Sequence, residues 1–327
     1  MDLLILGGTG FLSGEIARAA LADGHTVTCF ARGSRPAPVG ADLVTGDRED
    51  DDALTPLSGR HFDAIVEITS QPGRAKRAVR DLDTDHWVFV STANVYTESP
   101  DLERDEDAPL QTPLGSDVLE GMEDYGAAKV ACEQIFSGSG RTATLVRSGL
   151  IGGDGDASGR TGYWPWRFAH PVDGGPDVVV PDDPDFPCAV VDVRDLADFC
   201  LRAAVERLEG PFNVTGPTVP LSEVLATANE VAGSNARPLP VAPERLRELG
   251  VNPWMGPRSL PMWIDVPEIR GFATMGTTRA RAAGLTTRPL AETLAAALTY
   301  EETREGDRPS GLTDEVEREV LAAVRGA

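Results

Sequence analysis

The stretch Leu3-Leu-Ile-Leu-Gly-Gly-Thr-Gly-Phe-Leu-Ser-Gly14, at the start of the chain, decides the fold. Its first four residues form a short apolar run, which is typical of a strand buried on both faces of a parallel sheet. A glycine-rich turn follows, and then a helical stretch from Glu15 to Asp23 that Gly24 closes. This order predicts a β-α-β unit that holds a dinucleotide, because amides at the start of the helix can approach a pyrophosphate.

The turn itself supplies the first predicted binding residues. Gly7 permits the tight bend, and Gly10 permits a close approach of backbone to ligand. The predicted cofactor-binding residues of this segment are Gly7, Thr9, Gly10, Phe11 and Leu12. The spacing is G-x-x-G-x-x-S-G, with Ser13 in the position of a third glycine, and we expect this serine to loosen the packing of helix on strand slightly.

Strands and helices continue to alternate along the chain. Strands are predicted at 25–30, 42–44, 63–68, 87–90, 143–147, 187–191 and 212–214, and helices at 73–81, 124–136, 195–207, 221–232 and 314–324. This alternation predicts an α/β fold with a Rossmann-type doubly wound parallel sheet and a smaller C-terminal substrate-binding lobe. Residues 1–150 form the predicted nucleotide-binding domain and 151–327 mainly the lobe, with a return of the chain to the first domain near 187–216.

Composition excludes several classes of protein. The 327 residues include 52 acidic and 30 basic side chains, a net charge of -22, which opposes binding to nucleic acid or anionic membrane. No apolar run reaches the length of a membrane span, and the first residues lack the basic start of a signal peptide. The cysteines lack C-x-x-C spacing and indicate buried thiols rather than disulfides or a zinc site: Cys29, Cys132, Cys188 and Cys200. We expect a cytoplasmic protein without a metal.

The end of the second strand predicts the cofactor. An NAD site usually has an acidic residue there for the ribose 2′-hydroxyl, whereas an NADP site offers arginine to the 2′-phosphate. Here the strand runs into Arg32, Ser34 and Arg35 with no acid in reach, so NADP(H) is favoured over NAD(H). Asp47 and Arg48 follow the third strand and are further predicted cofactor contacts, with Asp47 an acceptor for the adenine amino group.

A tyrosine and a lysine supply the predicted acid-base chemistry. Tyr125 and Lys129 lie four residues apart on one helical face, and Lys129 is one of only two lysines in the chain. A nearby ammonium lowers the pKa of a phenol, which makes it a usable general acid or base. The fifth strand ends in the hydroxyls of Ser91 and Thr92, at the edge where open α/β sheets gather ligands.

Six segments carry a family resemblance: Gly7-Gly-Thr-Gly-Phe-Leu-Ser13, Val90-Ser-Thr-Ala-Asn-Val-Tyr96, Tyr125-Gly-Ala-Ala-Lys129, Arg147-Ser-Gly-Leu-Ile-Gly152, Val191-Asp-Val-Arg-Asp-Leu-Ala197 and Phe212-Asn-Val-Thr-Gly216. With them the chain resembles an extended short-chain dehydrogenase/reductase of the NAD-dependent epimerase/dehydratase family. The resemblance implies that Tyr125 exchanges a proton with the substrate oxygen. It also implies that Lys129 holds the nicotinamide ribose and tunes Tyr125, and that Thr92 holds the substrate oxygen, with Ser91 as the less favoured alternative.

The chain departs from the family pattern at two positions after Thr92. The sugar-nucleotide 4,6-dehydratases have an acidic pair there, and this chain has Ala93 and Asn94, so dehydration is not expected. Substrate contacts are predicted at Ser91, Asn94, Trp164, Arg167 and Trp254, with packing in the core of the lobe as an equal alternative for the tryptophans. Binding of an anionic group is one interpretation of Arg160, Arg167 and Arg258, and a solvated surface position is the default expectation for each.

Three functions follow from these observations. The first is an NADP(H)-dependent oxidoreductase that transfers hydride between nicotinamide and a carbonyl or secondary alcohol of a small polar substrate. The second is an NAD(P)-dependent epimerase of a sugar or sugar nucleotide, and the third is a non-catalytic cofactor-sensing protein. The resemblance also implies a homodimer through the Tyr-Lys helix, to which Val130, Ile135 and Phe136 contribute unless they pack on the internal sheet.

Overall fold

A seven-stranded sheet forms the centre of the protein in a computed structural model that describes residues 1–326. The strands are β1 (Asp2–Leu6), β2 (Thr26–Ala31), β3 (Asp42–Thr45), β4 (His61–Glu67), β5 (Asp83–Thr92), β6 (Thr142–Ser148), β7 (Leu150–Gly152), β8 (Asp177–Pro181), β9 (Pro187–Cys188), β10 (Val190–Asp192), β11 (Gly210–Val214), β12 (Val219–Pro220), β13 (Arg237–Val241), β14 (Asn252–Trp254) and β15 (Ser259–Pro261). The α-helices are α1 (Phe11–Ala22), α2 (Pro72–Asp81), α3 (Tyr125–Ser137), α4 (Tyr163–Ala169), α5 (Val193–Glu206), α6 (Leu221–Val231), α7 (Pro243–Glu248), α8 (Thr278–Ala282), α9 (Leu290–Glu302) and α10 (Asp314–Arg325).

The central sheet has the strand order β3-β2-β1-β4-β5-β6-β11, and every neighbouring pair is parallel. This is the doubly wound order, so the predicted Rossmann-type fold is confirmed. The direction of winding reverses between β1 and β4. Ligands of such sheets bind outside the carboxyl ends of the strands at this reversal, which places the expected crevice after Leu6 and Glu67.

Strand β1 is buried because helices cover both faces of the sheet. Leu3 and Ile5 pack in one apolar cluster with α1 and α5, and Leu4 and Leu6 pack in another with α2 and α3. Alternate residues of a strand point to opposite faces, so a continuous apolar run is needed where both faces are covered. The exposed fraction of these four side chains does not exceed 1%.

Two predicted elements differ from the structure. Helix α1 begins at Phe11 rather than Glu15, since Gly10 already takes the capping position. The strand predicted at 187–191 is interrupted at Ala189. Its first half, β9, pairs with β12, and its second half, β10, pairs with β7. After β10 the chain continues through α5, which packs against α1, into β11 at the edge of the central sheet.

The C-terminal lobe has an apolar core of its own. Helix α4 contributes Tyr163, Trp164 and Phe168 to it, all fully buried, and Trp263 reaches it from a loop. The amphipathic pattern at 314–324 forms α10, whose Val320 and Leu321 close this core. The four cysteines are free and buried, as predicted. None of the helices in residues 1–326 is long and apolar enough to cross a membrane.

Candidate active site

The glycine-rich turn connects β1 to α1 in a fixed conformation. Gly7 has a φ of 83°, in the left-handed region that favours glycine. A Cβ atom at Gly8 would lie 2.5 Å from the Sγ of Cys29, so this position has no room for a side chain. The Ser13 hydroxyl donates to the Gly7 carbonyl at 2.6 Å and accepts from the Gly10 amide at 3.1 Å. The Ser13 hydroxyl therefore ties the two glycines of the turn together.

The first amides of α1 suit an anionic ligand. The backbone N–H groups of Phe11 and Leu12 donate to no acceptor within residues 1–326. Amides at a helix N-terminus carry partial positive charge and bind phosphate groups in many dinucleotide sites. The side chain of Leu12 packs in the core. The residues of the turn therefore fit a pyrophosphate, with Phe11 and Leu12 contributing backbone rather than side chain.

A cleft of about 540 Å³ opens beside this turn, at the carboxyl ends of the central strands. It brings together most of the predicted cofactor residues, namely Gly7, Thr9, Gly10, Arg32, Ser34, Arg35, Asp47 and Arg48. Glu67, Ile68, Thr69, Ser70 and Arg74 also line it. The cleft therefore coincides with the crevice that the strand order predicts at the reversal between β1 and β4.

Two arginines at the far end of the cleft carry free positive charge. Arg32 and Arg35 are exposed and form no ion pair with any other part of residues 1–326. The segment between β2 and β3 supplies no acid at this point, and the nearby Ser34 adds a hydroxyl. A guanidinium fork binds phosphate oxygens in a bidentate manner, so these residues suit a phosphate on the cofactor ribose.

Arg48 also lines the cleft, but its charge is neutralised. Its Nη1 lies 2.5 Å from Oε2 of Glu67, which is buried at the end of β4. The other carboxylate oxygen of Glu67 accepts from the amides of Ile68 and Thr69, both at 2.9 Å. Glu67 thus orders the turn after β4. The sequence analysis did not assign Glu67 to the site, although its position near the end of a predicted strand indicated that it would lie at the ligand-binding edge of the sheet.

Tyr125 begins helix α3, beside the end of β5 where Thr92 lies. Burial raises the pKa of the Tyr125 phenol, and the Thr92 side chain and the Arg160 guanidinium oppose that rise. The Thr92 hydroxyl donates to Oδ1 of Asn94 at 3.0 Å. The structure thus groups a phenol, a hydroxyl and an amide around one point, which is the arrangement a general acid needs to protonate a substrate oxygen.

Lys129 has a different environment from the one predicted. Its ammonium donates to the backbone carbonyls of Ile68 at 3.1 Å, Thr69 at 2.9 Å and Val90 at 2.8 Å. Burial lowers the pKa of Lys129 to about 8. The prediction that Lys129 lowers the pKa of Tyr125 is not met, because the tyrosine pKa is raised and the cation acting on it is Arg160. Lys129 instead joins the ends of β4 and β5.

Steric contact explains why glycine follows Tyr125 in helix α3. A Cβ atom at Gly126 would collide with the backbone carbonyl oxygen of Asn94 and with the amide group of Gln111. That amide donates to the same carbonyl at 2.7 Å. Helix α3 can therefore approach the turn after β5 only with glycine at this position, and the approach brings Tyr125 next to Thr92.

Comparison with known proteins agrees with this geometry. Residues 3–84 match the model of the NAD dependent epimerase/dehydratase family. The resemblance to that family is thereby confirmed. The matched segment contains the glycine-rich turn, both exposed arginines of the cleft and Glu67.

Two curated relatives are distant. The chain is 25% identical to the chloroplast stem-loop binding protein of 41 kDa b of Arabidopsis thaliana over 262 residues, which cover 72% of this chain and 64% of the relative. It is 32% identical to the photosystem II assembly factor Ycf39 of Synechocystis over 87 residues, 25% of this chain and 26% of that protein. The matches thus span less than two thirds of the length of either relative.

Solved structures of epimerases share the fold. The enzyme WbmH of Bordetella bronchiseptica, in complex with NAD+, has a TM-score of 0.68 at 20% identity and covers 92% of this chain and 98% of its own. UDP-glucose 4-epimerase of Thermotoga maritima, with UDP-glucose, has a TM-score of 0.66 at 16% identity, covering 92% of this chain and 99% of its own. At these identities the likeness shows the fold alone, a doubly wound parallel sheet with a C-terminal lobe.

Ser91, which the sequence predicts as a substrate contact, points into the interior instead. It is buried, and its hydroxyl donates to Oε1 of Glu133 at 2.6 Å. Arg147 holds the same carboxylate through Nε at 3.0 Å and Nη2 at 2.8 Å, and its Nη1 donates to the hydroxyl of Tyr96 at 3.0 Å. Ser91 thus belongs to a buried network that supports the strand end carrying Thr92.

Two of the predicted substrate residues in the lobe are part of its core. Trp164 is fully buried, and its indole N–H donates to the carbonyl of Pro261 at 2.9 Å. Arg167 is also fully buried, and its Nε lies 2.7 Å from Oε2 of Glu317. Trp164 thus follows the alternative of packing in the core, and the substrate contact predicted for Arg167 is wrong, because long-range packing that local sequence does not reveal buries its side chain. The expectation of a solvated position for Arg167 is wrong for the same reason.

Trp254 is the predicted lobe residue that lies near the site. Its ring packs edge-on against Phe272, with centroids 5.5 Å apart. Phe272 lines a second cleft, of about 190 Å³, together with Asn94 and Gly126. The lobe therefore meets the catalytic end of α3 through an aromatic pair. Phe272 and Arg160, neither of which sequence reasoning assigned to the site, become part of it.

The predicted dimer residues of α3 lie inside the chain. Val130 and Phe136 are buried among side chains of the same molecule, and Ile135 packs against the cluster that contains Phe136. These three residues therefore follow the alternative in which they pack on the internal sheet. A homodimer stays a prediction, and its contact would use other residues of the helix.

Proposed function

We propose that the protein is an NADP(H)-dependent oxidoreductase that reduces a carbonyl group of a small polar substrate. The observation that carries the proposal is the phenol of Tyr125 beside the Thr92 hydroxyl, together with a cleft lined by the glycine-rich turn, Arg32 and Arg35. When bound, the cofactor supplies or accepts the hydride, which no side chain can do. The residues of the chain bind it, orient the substrate and move the proton.

The residues divide this work by position. The glycine-rich turn and the first amides of α1 would hold the pyrophosphate, and Arg32 with Arg35 the 2′-phosphate. Asp47, which lines the cleft between them, would accept from the adenine amino group. Lys129 keeps the carbonyl ends of β4 and β5 at a fixed separation beside the nicotinamide end of the cleft.

The raised pKa of Tyr125 favours the direction of reduction. Burial keeps its phenol protonated at neutral pH, so Oη holds the proton that a developing alkoxide takes up. The Thr92 hydroxyl orients the same substrate oxygen. We expect the rate of reduction to be independent of pH around neutrality. The rate should fall only at high pH, where the phenol ionises.

The first experiment measures binding of NADPH and NADH by fluorescence enhancement. We expect NADPH to bind more tightly, and Arg32→Ala to weaken NADPH by about tenfold to a hundredfold while NADH changes little, since a charge-assisted contact to phosphate is lost. Arg141→Ala, an exposed arginine at the start of β6, is the matched control. Tighter binding of NADH, or an unchanged affinity of Arg32→Ala, would refute the choice of cofactor.

The second experiment measures turnover with a panel of small carbonyl compounds. Tyr125→Phe removes the proton while keeping the ring, so turnover should fall about a hundredfold or more with NADPH affinity unchanged. Retained turnover would refute the assigned role of the phenol.

An NAD-dependent epimerase is the second candidate, favoured by the family that residues 3–84 match. An epimerase returns its hydride and consumes no added cofactor, whereas a reductase consumes NADPH in equal amount to product. A stem-loop binding role, which the plant relative's name states for that protein, is disfavoured here by the net charge of -22.

A further inference from the structure

Arg160 is an arginine without an ionic partner in a protein where acids outnumber bases. It lies between β7 and α4 and is partly buried. Its Nε donates to the hydroxyl of Ser158 at 3.1 Å. Its two Nη groups donate to nothing within residues 1–326, and no carboxylate of this part of the chain lies within ion-pair distance of it. A guanidinium taken partly out of water without an acid retains a strong demand for an anion.

The acid nearest along the chain is occupied by other groups. Asp156 is buried, and Oδ1 accepts from the amide of Ser158 at 2.9 Å and from its hydroxyl at 2.6 Å. Oδ2 accepts from the hydroxyl of Thr161 at 2.8 Å and from its amide at 3.3 Å. These four bonds close the loop around Arg160 and hold its backbone in place. Asp156 thus fixes the arginine without forming an ion pair with it.

An aromatic ring supports the guanidinium from the other side. The Arg160 Cζ atom lies 5.5 Å from the ring centroid of Trp254, within the range of a cation–π contact. Trp254 itself has a φ of 68°, and its amide donates to the carbonyl of Trp263 at 2.8 Å. A bulky residue in the left-handed region is held there by its surroundings. The platform beneath Arg160 is therefore built by the fold.

A chain of contacts connects Arg160 to the reacting end of the site. Trp254 contacts Phe272, which shares the second cleft with Asn94 and Gly126, the neighbour of Tyr125. The Arg160 guanidinium is close enough to Tyr125 to oppose the rise that burial causes in the pKa of the phenol. A group bound by Arg160 would accordingly lie close to the substrate oxygen that Tyr125 protonates.

We propose that Arg160 binds a carboxylate of the substrate, placed close to the carbon whose oxygen Tyr125 handles, so that the substrate is a small oxo or hydroxy acid. The inference rests on the proposed function, which it narrows to one class of substrate. A single unpaired cation neutralises one negative charge. The neighbouring Arg304, whose Nη2 donates to the carbonyl of Asp156, is paired with Glu301 and supplies no further free charge beside Arg160. The planar guanidinium matches the geometry of a carboxylate.

The test is ligand-observed NMR in the presence of NADP+, with lactate, 3-hydroxybutyrate and mandelate, each paired with its neutral amide. We expect at least one acid to bind at least about tenfold more tightly than its amide, because the amide lacks the charge that Arg160 requires. Arg160→Gln should reduce the affinity for that acid about tenfold or more and leave NADPH affinity unchanged. Arg141→Gln, an arginine at the opposite end of the sheet, should match the wild-type protein.

Equal binding of every acid and its amide by the wild-type protein would overturn the proposal, even if Arg160→Gln does not fold. Unchanged affinity in a folded Arg160→Gln would also overturn it, and tighter binding of inorganic phosphate than of the acids would refute the carboxylate. The two proposals fail separately. Acid binding without NADPH binding refutes the cofactor and keeps the anion site, whereas NADPH binding without acid preference refutes the anion site alone.

Discussion

The sheet and the C-terminal lobe each contain a buried arginine-glutamate pair, but the two pairs serve different ends. In the sheet domain, Arg147 of β6 pairs with Glu133 of α3, and Glu133 also accepts from Ser91, the residue before Thr92. In the lobe, Arg167 and Glu317 join α4 to α10, within the core of the lobe. The sheet therefore uses buried charge to support the site, and the lobe uses it to hold its own helices together. The lobe contributes to the site through other residues, namely Arg160, Trp254 and Phe272.

The largest effect should come from removing one partner of each pair. Glu133→Ala leaves the Arg147 guanidinium buried without its acid, which costs about 3–5 kcal/mol of unfolding free energy. Glu317→Ala should cost a similar amount through Arg167. Urea unfolding measures both, and Glu248→Ala, at an exposed ion pair, should stay below about 1 kcal/mol.

The two variants should differ in function where they agree in stability. Any Glu133→Ala protein that folds should lose turnover, because the support of Ser91 and Thr92 is gone, while folded Glu317→Ala should keep NADPH affinity and turnover. If folded Glu317→Ala lost turnover as strongly as Glu133→Ala, the division between sheet and lobe would be wrong.

A pH-dependent stability should belong to the sheet. Burial lowers the pKa of His86 to about 4, and its ring nitrogens contact the hydroxyls of Thr142 and Thr144. The unfolded chain takes up this proton near the ordinary pKa of 6.5 while the folded one resists it, so stability falls as the pH drops from 6.5 to 4. The contribution is up to about 3 kcal/mol.

Unfolding free energies at pH 7 and pH 4.5 measure the effect. His86→Asn should lose less stability on acidification than the wild-type protein. An identical pH dependence of His86→Asn and wild type would contradict the assignment.

A steric change at the junction of helix and strand should affect the site more than the fold. Gly126→Ala places a methyl group against the Asn94 carbonyl, so α3 must shift away from the turn after β5. We expect a loss of about 1–3 kcal/mol and a larger proportional loss of turnover, as Tyr125 moves from Thr92. Gly115→Ala is the control, because a Cβ there meets open space.

The smallest effect on stability should come from the aromatic platform of the lobe. Trp254→Phe keeps an aromatic ring on a partly exposed residue and should cost less than about 1 kcal/mol. Trp164→Phe removes the donor to the Pro261 carbonyl in a closed core and should cost more. Affinity for small acids should fall in Trp254→Phe alone. If acid affinity fell in Trp164→Phe and not in Trp254→Phe, then Trp164 would belong to the site and Trp254 to the core.

The same contrast explains what the sequence predicts. Local pattern sets where strands end and helices begin, and parallel topology brings these ends to one edge of the sheet. The sequence alone therefore predicts that Gly10, Arg32, Thr92 and Tyr125 lie at that edge. Arg160 and Trp254 are far apart in sequence and meet where the loop between β7 and α4 packs against the end of β14. Nothing in the local pattern separates Arg160 from Arg167, because only tertiary packing decides which guanidinium finds an acid.

The carbonyls that enclose the Lys129 ammonium also affect what reagents can reach. Acylating reagents attack free, solvent-exposed amines, and Lys129 is both enclosed and hydrogen-bonded. The other lysine, Lys76, is exposed on α2 beside Asp117. The folded protein therefore presents one reactive ε-amine, and an amine-directed fluorophore or surface linker would attach there and at the chain's α-amino group.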